Sequence, residues 1–121
     1  MKVKIDKCDS LFSKYIRTRD KWTCQVCHKQ YSPGDRGLQC SHFWSRRHKS
    51  VRWDGDNACA KCFYCHQHMT ANPIEFRDWI LKRLGRQKFD LLEAKARQVI
   101  RLKKTDKAYI EADLKARIAG L

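Results

Sequence analysis

Leu11, Phe12, Tyr15 and Ile16 form an apolar stripe at helical spacing, with Lys14, Arg17 and Arg19 turned the other way. This pattern predicts an amphipathic helix capped by Asp9 or Ser10 and ending near Asp20. His28 to Gly37 holds Ser32-Pro33-Gly34-Asp35 and reads as a loop with a turn. Leu38 to Phe43 has strand character, a second short strand is expected around Val51 to Trp53, and Asp54-Gly55-Asp56-Asn57 is turn chemistry. A helix of two to three turns follows from Lys61 or Cys62 and ends before Asn72.

Asn72-Pro73-Ile74-Glu75 predicts the next helix start, with Asn as N-cap, Pro at N1 and Glu reaching back to the cap amide. Ile74, Trp79, Ile80 and Leu84 are its apolar residues, and Gly85 fits just past its end. A further helix is expected from about Lys88 to Lys103, carrying Leu91, Leu92, Val99, Ile100 and Leu102. Thr105 can cap a last one, with Tyr109, Ile110, Leu114 and Ile118 as its stripe. Together these elements predict a single α+β domain over residues 1–121, with a compact core over about 22–72 and a C-terminal helical extension over about 73–121.

A chain of 121 residues builds only a modest core, which gives its cysteines a purpose. Cys24 with Cys27 and Cys62 with Cys65 are two CxxC pairs. Each places two thiolates on one tight turn, so together they can close a tetrahedral structural Zn²⁺ site and staple distant segments. Cys59 lies three residues before Cys62 and offers an overlapping pair; Cys8, Cys40 and Cys59 are otherwise small core residues. Seven cysteines in this spacing fit metal ligation better than a secreted disulfide framework and predict a reducing, cytoplasmic setting. With no leader-like apolar run and no membrane-length stretch, the chain reads as soluble and unexported.

Lys and Arg number 27 against 13 Asp and Glu, a net charge of +14 spread along the chain. Such a body is drawn to phosphate backbones, so nucleic acid is the expected partner. Between the cysteine pairs lie His42 and Asn57, and His66 follows the last cysteine. A neutral imidazole at His42 can take a proton from water; the alternatives are a metal ligand or a loop histidine satisfied by backbone. Asn57 can orient the histidine loop or cap its own turn. His66 is placed to ligate a divalent cation that stabilises charge on a phosphate, whereas His68 points elsewhere and reads as a surface residue. Arg46, Arg47, Lys49 and Arg52, with Trp44 and Trp53 at the ends of their stretch, are candidate contacts to a DNA backbone.

The order of His42, Asn57 and His66 around two CxxC pairs resembles the HNH, or beta-beta-alpha-metal, endonucleases. The flanking segments are similar to the phage lambda NinG (Rap) recombination proteins: Leu11-Phe12-Ser13-Lys14-Tyr15-Ile16-Arg17, Trp22-Thr23-Cys24, Leu38-Gln39-Cys40-Ser41-His42-Phe43, Arg52-Trp53-Asp54 and Asn72-Pro73-Ile74-Glu75-Phe76-Arg77-Asp78-Trp79. The resemblance implies a zinc-braced beta-hairpin plus helix, flanked by an N-terminal helix and C-terminal helices. It also implies an endonuclease dependent on Mg²⁺ or Mn²⁺ that cuts branched DNA such as Holliday junctions during phage recombination, in the host cytoplasm. By the same analogy His42 is the general base, Asn57 supports the catalytic loop and His66 binds the catalytic metal. Many such enzymes carry an acidic ligand just before the base, where this chain has Ser41. Ser41 or Asp56 is then the candidate second ligand, with Asp54 nearby, unless water and DNA phosphate complete the shell.

Paired cuts at a junction require two active sites, so the last two helices are also read as a homodimer interface, against folding back on their own domain. The rival readings are an HNH nuclease for linear duplex, in restriction or packaging, and a non-catalytic zinc DNA-binding module.

Overall fold

The computed structural model describes residues 3–121. It is a mixed α+β fold in which a two-stranded antiparallel sheet is surrounded by five helices. Helix α1 is Lys7–Arg19. Its cap is Asp6 rather than Asp9 or Ser10, because Asp9 occupies the third position of a capping box: the Asp6 carboxylate accepts from the Asp9 amide, and the Asp9 carboxylate accepts from the Asp6 amide. Phe12 and Ile16 of the predicted stripe are fully buried.

Strand β1, Leu38–His42, lies where the sequence places it. Its partner does not. The segment around Val51 to Trp53 is a turn, and β2 is Ala58–Cys62, paired from Leu38 opposite Cys62 to His42 opposite Ala58. Two polar anchors account for this choice. The Asp20 carboxylate accepts from the Ala60 amide at 2.8 Å, and the Arg19 guanidinium donates to the carbonyls of Gly55 and Ala58. The end of α1 therefore fixes the short 3-10 turn Gly55–Asn57 and the start of β2 together.

Helix α2, Phe63–Ala71, leaves β2 directly, with the Cys62 sulfur accepting from the Cys65 amide. Helix α3, Pro73–Leu84, starts at Asn72 as read, but the predicted capping contacts are absent among the described residues. The Asn72 side chain instead donates to the His68 carbonyl, and Glu75 pairs with His68 across 2.9 Å. Ile74 is exposed, and the face that packs inward carries Phe76 and Ile80. Gly85 turns the chain at φ 83°, a left-handed value that favours glycine.

Helix α4 is Arg86–Ala96, shorter than predicted. The loop side chains His48 and Ser50 donate to the carbonyls of Ala96 and Lys95 and satisfy its last turn, after which the β-branched pair Val99-Ile100 runs without regular structure. Helix α5, Lys104–Ala119, begins after Lys103, whose amide donates to Asp106; Thr105 is already inside it. Leu114 packs with Phe12, Ile16 and Ala58, and Ile110 lies against them, while Lys107 pairs with Asp6 and Lys7 with Glu111. The inner part of the α5 stripe thus lies on α1 of its own chain, and Tyr109 remains exposed.

The core is divided. Beside the cluster of Phe12, Ile16, Ala58 and Leu114, a second gathers Cys24, Leu38, Ala60, Cys62 and Cys65; a third joins α2, α3 and α4 through Met69, Phe76, Ile80 and Phe89; a fourth sets Val51 against Leu92 and Ala96. Among the described residues no helix is long and apolar enough to cross a membrane.

Candidate functional site

The sulfurs of Cys24, Cys27, Cys62 and Cys65 all lie within 4.8 Å of one another. In each pair the first sulfur accepts from the amide of the second cysteine, Cys27 to Cys24 at 3.5 Å and Cys65 to Cys62 at 3.4 Å. The first turn is closed by His28, at φ 65°, whose amide donates to the Cys24 carbonyl. It is docked to the sheet through the Gln25 amide on the Ala60 carbonyl. Burial works to raise the Cys24 thiol, but amide donors to its sulfur outweigh that and bring it down to about 7. Four soft donors at this separation, one of them readily ionised, suit a structural tetrahedral metal such as zinc. Cys59, opposite Ser41 in the sheet, is buried and outside the cluster, so the overlapping pair is resolved in favour of Cys62 and Cys65.

The cysteine cluster sits at the junction of β2 and α2, β1 is paired to β2, and these elements bring His42 and His66 to the same cleft, of about 610 Å³. His42 ends β1, and its Nε2 lies 3.0 Å from the Arg52 carbonyl oxygen. A carbonyl can only accept, so this nitrogen carries the proton and Nδ1 keeps the lone pair in the neutral ring. Burial lowers its pKa from the usual histidine value, with the nearby Arg46 adding to the effect and the bond to Arg52 opposing it. His66, in the first turn of α2, has the opposite arrangement. Its Nδ1 is 2.7 Å from the Gln39 side-chain oxygen, which leaves Nε2 as the basic atom. Its pKa is also lowered, by burial and then by Lys61.

Asn57 is completely buried and serves the loop more than its own turn. Its side-chain oxygen accepts from the Trp44 amide at 2.8 Å, and its amide group donates to the carbonyls of Trp44 and Val51. One side chain thereby spans both ends of the loop that follows His42.

The expected backbone-binding residues separate. Arg46 lines the cleft, while Arg47 and Lys49 are exposed on the loop. Arg52 does not belong with them: it is 5 % exposed, with Nε and Nη2 on the two carboxylate oxygens of Asp9 and Nη2 also on the Lys4 carbonyl. Its charge is spent inside the protein.

Ser41 and Asp56 are likewise not placed for a cation in this cleft. Ser41 is buried, and its hydroxyl accepts from Lys61 at 3.0 Å. Lys61 is itself fully buried above the Phe76 ring, with burial pushing its pKa down to about 8. Asp56 is exposed outside the cleft lining, and Asp54 accepts from the Asp56 amide and pairs with Lys95.

Three residues of the cleft escaped the sequence reading as site residues. Gln39 is the partner of His66. Arg17, on the polar face of α1 and stacked 4.7 Å over Trp22, lines one wall, and Arg36 comes from the turn before β1. Outward-facing arginines on a helix give no signal until the helix is known to border a cleft.

Residues 2–121 match the family described as Bacteriophage Lambda NinG protein. No curated protein and no solved structure matches the chain.

Proposed function

Because the chain belongs to the bacteriophage lambda NinG family, we propose that it is an HNH endonuclease that hydrolyses DNA phosphodiesters with Mg²⁺ or Mn²⁺. Its proposed substrate is branched DNA, such as the Holliday junctions of phage recombination. One observation carries the reading: two imidazoles share a cleft bordered by arginines, and each has its other nitrogen tied to an oxygen acceptor.

In this account water gives its proton to Nδ1 of His42. The lowered pKa keeps that atom free at neutral pH, and the Arg52 carbonyl stabilises the ring once it is charged. Asn57 keeps the loop in register so that the ring does not swing away. Arg17, Arg36 and Arg46 are forks for phosphate oxygens and hold the backbone at the base.

Nε2 of His66 would be a nitrogen donor for a divalent cation, its ring held from the other side by the Gln39 oxygen on Nδ1. Among the described residues the one carboxylate on the cleft, Asp9, is committed to Arg52, so water and phosphate would have to supply the rest of the shell, in keeping with the reluctance of Mg²⁺ to give up its waters. A cation bound there would neutralise charge on the scissile phosphate and leaving oxygen.

The test is a labelled four-way junction incubated beside its separate linear arms with Mg²⁺, Mn²⁺ or EDTA. Cation-dependent cleavage of the junction in preference to the arms supports the whole reading. Equal cleavage of both leaves a nuclease for linear duplex, and binding without cleavage under every cation leaves a zinc DNA-binding module.

A further inference from the structure

The loop from Phe43 to Val51 borders two clefts. Ser45 and Arg46 face the one that holds His42 and His66. Trp44, Arg47, His48 and Lys49 line a second, of about 520 Å³, whose other wall runs from Ala96 to Ile100 past the end of α4. We infer that this second cleft is a subsite for an unpaired nucleotide of the bound strand, beside the phosphate held in the first; the inference rests on the nuclease reading above.

The lining has a mixed chemistry. Arg47, Lys49 and Arg97 supply cations, Trp44 and His48 supply flat rings, and Val99 and Ile100 present apolar side chains to solvent, Val99 at 98 % exposure. Cations alone would make a rail for a backbone, and an apolar patch alone has no use for them. Together they match a nucleotide, whose phosphate is anionic and whose base has an apolar face.

The cleft is also built in advance. His48 Nδ1 donates to the Ala96 carbonyl at 3.3 Å and Ser50 Oγ to the Lys95 carbonyl, which tie its walls together. Both backbone groups of Trp44 are held by Asn57, and its ring stands edge-on to Phe43 and His48, so the indole is a fixed surface. Ser45 and Arg46 lie between Trp44 and Arg47 in the chain, so the two clefts share this loop and a strand held in the first runs beside the second. A base stacked in continuous duplex cannot enter without being extruded, whereas one at a bulge or branch is already available.

The zinc-loaded full chain, with no added Mg²⁺ or Mn²⁺, is titrated with a short duplex carrying one extrahelical 2-aminopurine nucleotide and with the same duplex fully paired. The expected result is about tenfold tighter binding of the bulged duplex and quenching of its fluorescence, the size of one base stack. Arg97→Ala and Val99→Asp should remove most of that preference, and Trp44→Leu the quenching; bound zinc reports that each variant is folded. Equal affinity of the wild type for both duplexes, or an unchanged preference in folded Arg97→Ala and Val99→Asp, would overturn the inference. Cleavage enters neither readout: a protein that prefers the bulge but never cuts refutes the nuclease reading, and one that cuts without preference refutes the subsite.

Discussion

His42 and Arg52 are joined ring to backbone: Nε2 of the histidine donates to the arginine carbonyl at 3.0 Å, while the arginine guanidinium is locked on Asp9. A buried ion pair at the start of α1 thus fixes the tautomer of an imidazole at the end of β1. Arginine supplies this through its main chain and its side chain at once, so its value lies in position rather than in contact with DNA.

The first prediction is a pH profile. Burial lowers the His42 pKa, so cleavage should rise with pH through a midpoint below the ordinary value of 6.5. The sign for stability follows from the same shift. Between the folded pKa and 6.5 the unfolded chain binds more protons, so the contribution of His42 is intact above 6.5 and is lost as pH falls through the folded value. A rate profile whose midpoint lies above 6.5 would contradict the assignment.

Arg52→Ala should destabilise the fold by about 3–5 kcal/mol, because it leaves the Asp9 carboxylate buried and unpaired. Asp9→Asn with Arg52→Ala should cost less than the sum of the two single changes. Arg46→Ala should behave oppositely: near-native stability, and a log-log salt slope of DNA binding smaller by about one. Chemical denaturation and binding across a salt series separate the two arginines.

Sequence reading located α1, β1, α2, α3, the four clustered cysteines and the two histidines of the cleft, because each is signalled by nearby residues: a stripe, a Pro-led start, a CxxC turn. It failed where the deciding partner was distant. Val51 to Trp53 has stronger strand composition than Ala58–Cys62, yet β2 formed where Asp20 and Arg19 reach it from α1. Lys61 also disguised that strand, since a lysine rarely marks a buried position. Arg52 was read by its charge, and Asp9, 43 residues away, decided its role. The Val99 to Leu102 stretch was assigned to a helix by periodicity, although the carbonyls that end α4 are taken by a loop from the other half of the chain.

Gln39 is predicted to act through His66. Gln39→Ala frees the His66 ring to turn or change tautomer, so the cation concentration needed for half-maximal cleavage should rise by about 10- to 100-fold while DNA affinity without cation stays near wild type. Gln39→Glu retains an acceptor and should restore most of the cation response. If Gln39→Ala titrates like wild type, the contact has no part in cation binding.

The cysteine frame predicts about one tightly bound zinc per chain, with its removal unfolding the sheet and α2. Cys62→Ser should lose the metal and Cys59→Ser should keep it, as elemental analysis beside circular dichroism would record. A stable, zinc-free fold would refute the role of the four sulfurs.

The central claim is tested most directly by single-turnover cleavage of a four-way junction with Mn²⁺ by wild type and by His42→Ala, at equal zinc content and saturating protein. The account predicts a loss of about 10²- to 10⁴-fold in rate for His42→Ala with junction binding nearly unchanged, because a base is removed and no phosphate contact is. Equal rates in the two proteins, or no cleavage by wild type with any divalent cation, would contradict it.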